Sequence, residues 1–85
     1  MPRIIMYTTG FCPYCVAAKN LLQTKGASWD EIRIDKERGK RDEMIDKSQR
    51  RTVPQIFIGD THVGGFDDLA ALDKAGELDQ LLASA

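Results

Sequence analysis

The sequence predicts an α/β fold, a four-stranded mixed sheet with elements in the order βαβαββα and helices flanking it. Three observations predict it. An apolar run, an amphipathic stretch and a second, alternating run follow one another within the first 35 residues, the pattern of a βαβ unit. Two further short apolar runs are separated by a single Gly-Asp turn, as in an antiparallel hairpin. Leucines at helical spacing fill the end of the chain. At 85 residues the chain has the size of one domain, assigned here to residues 1–85.

Ile4-Ile5-Met6-Tyr7-Thr8, bounded by Pro2 and Gly10, is a compact β-branched and apolar run and reads as a buried strand. From Pro13 the residues Val16, Ala17, Ala18, Leu21 and Leu22 draw an apolar stripe on a helix, and Gly26 supplies its stop. Trp29 to Asp35 reads as a half-buried strand, because Ile32 and Ile34 alternate with charged neighbours. Lys36 to Arg51 is so rich in charge that it supports only a surface helix, with a narrow buried face predicted at 41, 44, 45 and 48. Pro54 opens the strand Gln55–Ile58, Gly59-Asp60 turns it, and Thr61 to Val63 returns. Gly64-Gly65 ends the hairpin. Asp67 and Asp68 then precede a helix carrying Leu69 and Leu72 and closing at Gly76, and Leu78, Leu81 and Leu82 mark a short final helix. A parallel pair beside an antiparallel hairpin in one four-stranded sheet is the thioredoxin-like architecture.

Composition narrows the function. Hydrophobic residues make up 42 % and charged residues 29 % of the chain, a globular balance. Twelve Lys+Arg against thirteen Asp+Glu leave a net charge of −1, which argues against a nucleic-acid or anionic-membrane partner, since both need an excess of cations. The apolar run from Ile4 to Tyr7 is far shorter than the ~20 residues that span a bilayer and too short for a signal-peptide core. The expectation is a soluble, cytoplasmic protein with no membrane partner.

The two cysteines, Cys12 and Cys15, are a poor structural staple. Closing so short a loop restricts the unfolded chain by about 2 kcal/mol, against about 3 for a fifteen-residue loop. Zinc would need two further ligands and only His62 offers a usual one, so no metal site is expected. The pair is therefore read as chemical. Cys12-Pro13-Tyr14-Cys15 stands between a strand and a helix; Pro13 suits the first helical turn, which puts Cys12 at the N-cap and Cys15 nearly above it. The unpaired amides and the helix dipole favour the Cys12 thiolate. Nucleophilicity falls as the thiol becomes more acidic, so the larger benefit is a good leaving group when a second thiol attacks the mixed disulfide. By this geometry Cys12 is the nucleophile and Cys15 the more buried, resolving thiol.

Two other segments admit more than one reading. Val53 before Pro54 is held extended and offers an edge for peptide pairing, although from the dipeptide alone a cis bond has odds of about one in twenty. Gly64-Gly65-Phe66-Asp67-Asp68 brings free backbone amides to a helix N-terminus, suited to a carboxylate, with two acids suited to an ammonium; it also reads as a hairpin exit followed by capping aspartates.

Together, Cys12-Pro13-Tyr14-Cys15, Thr52-Val53-Pro54-Gln55-Ile56-Phe57-Ile58 and Gly64-Gly65-Phe66-Asp67-Asp68 resemble the dithiol glutaredoxins in order and spacing, and the resemblance runs through the whole chain. It implies a thioredoxin-like fold, a cis peptide before Pro54, and glutathione-dependent reduction of protein disulfides and of protein–glutathione mixed disulfides, with glutathione as co-substrate and no metal cofactor. It also implies that the Val53 backbone pairs with the cysteinyl residue of glutathione, and that Tyr14, Thr52 and Pro54 line the groove. Gly65 and Asp67 would offer backbone to the γ-glutamyl carboxylate, Asp68 would face the ammonium, and Arg51 is a weaker candidate for the glycyl carboxylate. The partners implied are glutathionylated or disulfide-containing proteins, of the ribonucleotide reductase type among others, met by a monomer. Two alternatives share the fold: an iron–sulfur cluster carrier using Cys12 and glutathione as ligands, and a redoxin recycled by a flavoprotein thioredoxin reductase. The chain departs from the family pattern at Thr9, where a lysine is common, at Phe11, where a smaller polar residue is common, and at Phe66, a frequent site of a third cysteine.

Overall fold

The computed structural model describes residues 2–84; Met1 and Ala85, the two ends of the predicted domain, lie outside the described residues. Eight elements follow in order: β1 (Ile4–Thr8), α1 (Pro13–Thr24), β2 (Asp30–Arg33), α2 (Lys40–Ser48), β3 (Gln55–Ile58), β4 (Thr61–Gly64), α3 (Phe66–Lys74) and α4 (Glu77–Ala83). The sheet order is β2-β1-β3-β4, with β1 parallel to β2 and antiparallel to β3, and β3 antiparallel to β4. The predicted fold class and the predicted order of elements along the chain are both present.

Alternation along β1 and β3 divides the interior into two cores. Ile4, Met6, Ile56 and Ile58 meet Ala18 and Leu22 of α1, Leu69 of α3 and Leu78 and Leu82 of α4 in the larger one. Tyr7 points the other way, toward Ile34 and Met44, with Ile5, Ile32, Ile45, Val53 and Phe57 packed around them. One charged helix suffices to cover this smaller face. Lys25, at the C-terminal end of α1, reaches Asp73 at 2.8 Å and Asp79 at 3.0 Å, which joins α1 to the two C-terminal helices.

Three boundaries differ from the sequence expectation. In α2, Met44 and Ser48 are buried and Ile45 half-buried, but Arg41 is exposed: α2 packs through little more than Met44, and the buried Ser48 hydroxyl donates to the Met44 carbonyl at 2.6 Å. β2 covers only Asp30–Arg33 rather than Trp29 to Asp35. It is an edge strand, and past Arg33 the chain turns on an ion pair between Arg33 and Asp35, keeping one ladder-like bond from Ile34 N–H to the Thr8 carbonyl at 3.0 Å. Helix α3 begins at Phe66, so Asp67 and Asp68 lie inside its first turn instead of before it, where their charges still oppose the helix dipole.

Candidate active site

Cys12 is the N-cap of α1, with extended backbone (φ −143°, ψ 96°) and Pro13 in the first turn, as the sequence requires. The Cys15 N–H donates to Cys12 Sγ at 3.1 Å, so one of the helix's unpaired amides is spent on this sulfur. The two cysteines are joined as a disulfide with Cα atoms 5.1 Å apart. Cys15 is 1 % exposed and Cys12 9 %, so Cys15 is the more buried of the pair, as the sequence predicts, and Cys12 is itself largely buried.

Opposite the sulfur stands the loop between α2 and β3. Its Val53–Pro54 bond is cis, and Cys12 Sγ lies 3.8 Å from the Val53 carbonyl oxygen. A groove of about 340 Å³ begins here; Thr52, Val53 and Pro54 form one wall, Tyr14 and Phe66 another, and Gly65, Asp67 and Asp68 close the far end together with Arg50. All seven binding positions expected from the sequence thus meet in one groove. Tyr14 and Phe66 stack, with ring centroids 6.4 Å apart and planes 27° from parallel. Such a pair gives the groove an apolar wall.

Arg50 and Phe66 were not anticipated as site residues. Arg51 is exposed and does not line the groove; its neighbour does. Nothing in spacing or composition distinguishes two adjacent arginines in a loop, because the path of the loop decides which side chain turns inward. Phe66 has a signal that was available: its position at the mouth of the second helix N-terminus, opposite Tyr14 at the first.

Both readings of Asp68 rest on one carboxylate oxygen. Oδ2 accepts from the Gly65 N–H at 3.0 Å and from Arg50 Nη1 at 2.9 Å, so Asp68 does cap α3, and it already faces a cation. Arg50 first, then the Gly65 amide, hold its carboxyl below the ordinary value. Gly64, at φ +113°, leaves room for this arrangement: a Cβ there would run into the Asp68 carboxylate and lie 2.9 Å from Arg50 Nη1.

Around Cys12 the surface is apolar. Phe11 is fully exposed, and Tyr14 and Val16 are more than half exposed. Among the described residues there is no group of three or more His, Cys, Asp or Glu able to hold a metal ion, and no helix is long and apolar enough to cross a membrane.

Residues 4–63 match the glutaredoxin family model. The glutaredoxin of Pseudomonas aeruginosa is 54 % identical over 84 residues, covering 99 % of this chain and all of that protein. Among solved structures, a buckwheat glutaredoxin in complex with glutathione superposes with a TM-score of 0.87 at 30 % identity, over 95 % of this chain and 76 % of that one. A further structure, described as concerning metal binding of glutaredoxins, has a TM-score of 0.76 at 51 % identity over 99 % of this chain and 91 % of its own. With a helix-capping dithiol facing a cis-proline loop and a groove that ends in paired charges, the chain belongs to the glutaredoxin family, glutathione-dependent thiol–disulfide oxidoreductases, and carries that family's dithiol at Cys12 and Cys15.

Proposed function

We propose that Cys12 attacks, that Cys15 resolves, and that the groove between Tyr14 and Thr52-Val53-Pro54, closed by Gly65, Asp67 and Asp68, binds the glutathione moiety of the substrate. The observation that carries this is the order of chemistry along the groove: sulfur beside a backbone carbonyl at one end, an aromatic and proline wall between, and an Asp68–Arg50 pair at the other. Glutathione has the same order, with a thiol at its centre, a peptide backbone beside it and a zwitterionic γ-glutamyl end.

In the first step the Cys12 thiolate attacks the glutathione sulfur of a protein mixed disulfide. A Cys12–glutathione disulfide forms and the protein leaves as its thiolate. A second glutathione thiolate then attacks the glutathione sulfur of this intermediate, expels Cys12 and departs as oxidised glutathione. With a protein disulfide, Cys12 forms a mixed disulfide with the protein, and Cys15 attacks the Cys12 sulfur to release the protein dithiol and close Cys12–Cys15. Two glutathione molecules then return that disulfide to the dithiol. The Cys15 amide at 3.1 Å from Cys12 Sγ stabilises the departing thiolate in the steps that expel it.

Neither route uses a metal. Pro13 places a ring directly after the nucleophile, where an iron centre would approach the backbone, and Cys15 competes for Cys12 within the same chain. The substrates we propose are glutathionylated and disulfide-containing cytoplasmic proteins, of the ribonucleotide reductase type among them, met by a monomer. The test is reduction of a small glutathione mixed disulfide with NADPH and either glutathione reductase or thioredoxin reductase as the recycling enzyme. Turnover with the first is expected; turnover with the second alone would move the protein to the thioredoxin-reductase-dependent class.

A further inference from the structure

Gln55 is fully buried, immediately after the cis proline, and its polar atoms must all find partners inside the protein. Its side-chain amide nitrogen donates to the Thr52 carbonyl at 3.0 Å and approaches Thr52 Oγ1 at 3.3 Å. Its oxygen faces His62 Nε2 at 2.8 Å. Donor and acceptor roles along this chain are forced. The Thr52 carbonyl only accepts, so the amide nitrogen must be on its side; the amide oxygen only accepts, so His62 must carry its proton on Nε2. Thr52 Oγ1, accepting from Gln55, has its own hydrogen free for the groove that Thr52 lines.

His62 is fixed independently. It sits opposite Phe57 in the β3–β4 ladder, and the two rings stack at 4.8 Å and 27°. Half-buried, and with Arg50 nearby, its imidazole is held below its ordinary pKa, burial being the larger cause and Asp68 opposing it. Neither His62 nor Gln55 lines the groove.

We infer that Gln55 and His62 are positioning residues for glutathione recognition: His62, clamped on Phe57, locks the Gln55 amide, and the amide holds the Thr52-Val53 wall at the distance from Cys12 that the ligand needs. The inference rests on the glutathione-binding reading of the groove. Without the His62 donor the Gln55 oxygen is left buried and unpaired, so the amide shifts toward another partner and its hold on the Thr52 carbonyl loosens.

The experiment compares His62→Leu with His62→Gln, whose amide nitrogen replaces the lost donor, and with Gln55→Met, which keeps the volume and removes all three of the Gln55 side-chain contacts. For each, KM and kcat for a glutathione mixed disulfide are measured with glutathione reductase recycling, together with the rate of alkylation of reduced Cys12 by iodoacetamide and the melting temperature. Loss of this positioning predicts a rise in KM of about threefold to tenfold for His62→Leu, and at least as much for Gln55→Met. Alkylation should stay within about twofold of wild type, and His62→Gln should recover most of the affinity. An unmoved KM in both His62→Leu and Gln55→Met overturns the inference. So does an equal KM rise in His62→Leu and His62→Gln, which would reveal simple packing. Should His62→Leu not fold, Gln55→Met decides by the same KM. Wild-type protein that does not turn over with glutathione reductase would instead refute the glutathione-binding reading itself.

Discussion

Replacing Asp68 with alanine separates two roles that its carboxylate combines. On the free protein the substitution removes the bond from the Gly65 amide and the pair with Arg50. Loss of a helix cap costs about 1 kcal/mol. The Arg50–Asp68 pair adds little, because the two side chains are 48 % and 44 % exposed and solvent screens such pairs to about 0–1 kcal/mol. A total near ~1 kcal/mol corresponds to a fall in melting temperature of roughly 4–8 °C for a domain of this size. On the ligand, loss of a charge-assisted contact to the γ-glutamyl ammonium is worth about 1.5 kcal/mol, roughly a tenfold rise in KM for a glutathione mixed disulfide. Asp68→Asn divides the two: its side-chain oxygen still accepts from Gly65, so most of the stability returns, while the charge and with it the KM do not. The pH dependence of stability has a defined sign. The Asp68 carboxyl is depressed in the folded state by Arg50 and then by the Gly65 amide, so its contribution is complete above the ordinary aspartate value of ~3.9 and disappears as pH falls through the lower folded value. The stability gap between wild type and Asp68→Ala should therefore close in that acid range. Thermal melts from pH 7 downward and steady-state kinetics at pH 7 check this; an unchanged KM in both variants, with the fold intact, would show that Asp68 only caps α3.

Cys12→Ser should abolish turnover of both glutathione mixed disulfides and protein disulfides, whereas Cys15→Ser should spare the first and impair the second, since free glutathione resolves only the former intermediate; equal loss in Cys15→Ser refutes that division. Anaerobic incubation with iron, sulfide and glutathione should leave a colourless monomer, and Pro13→Gly should make cluster binding more accessible; a brown wild-type dimer with about one [2Fe–2S] cluster per two chains refutes the steric argument. Gly64→Ala should destabilise by about 1–3 kcal/mol, because the backbone is at φ +113° and the new methyl meets Asp68, and should raise the KM for glutathione substrates by displacing that carboxylate; chemical denaturation and kinetics on the same protein measure both.

The N-cap position of Cys12, its pairing with Cys15 and the fold class were legible in the sequence because each is set by local chemistry. A cysteine followed by proline at a strand-to-helix junction becomes an N-cap through the backbone geometry of a few residues, and the continuous apolar runs in Ile4–Thr8 and Gln55–Ile58 mark buried strands without knowledge of what covers them. The cis bond before Pro54 was legible only by resemblance, since the dipeptide by itself favours trans. What contact across the sheet decides was not legible. Arg41 satisfies helical spacing but faces water, because α2 presses on the sheet through Met44 and needs no wider face. Arg50 and not Arg51 enters the groove, and Asp68 meets that arginine, because the chain folds back to bring together residues 18 positions apart. The chain His62–Gln55–Thr52 likewise crosses from β4 to the loop before β3. Periodicity and capping are properties of neighbours in sequence. The pairing of donors with acceptors across a sheet exists only once burial has removed water as the competing partner, and that is a property of the tertiary structure.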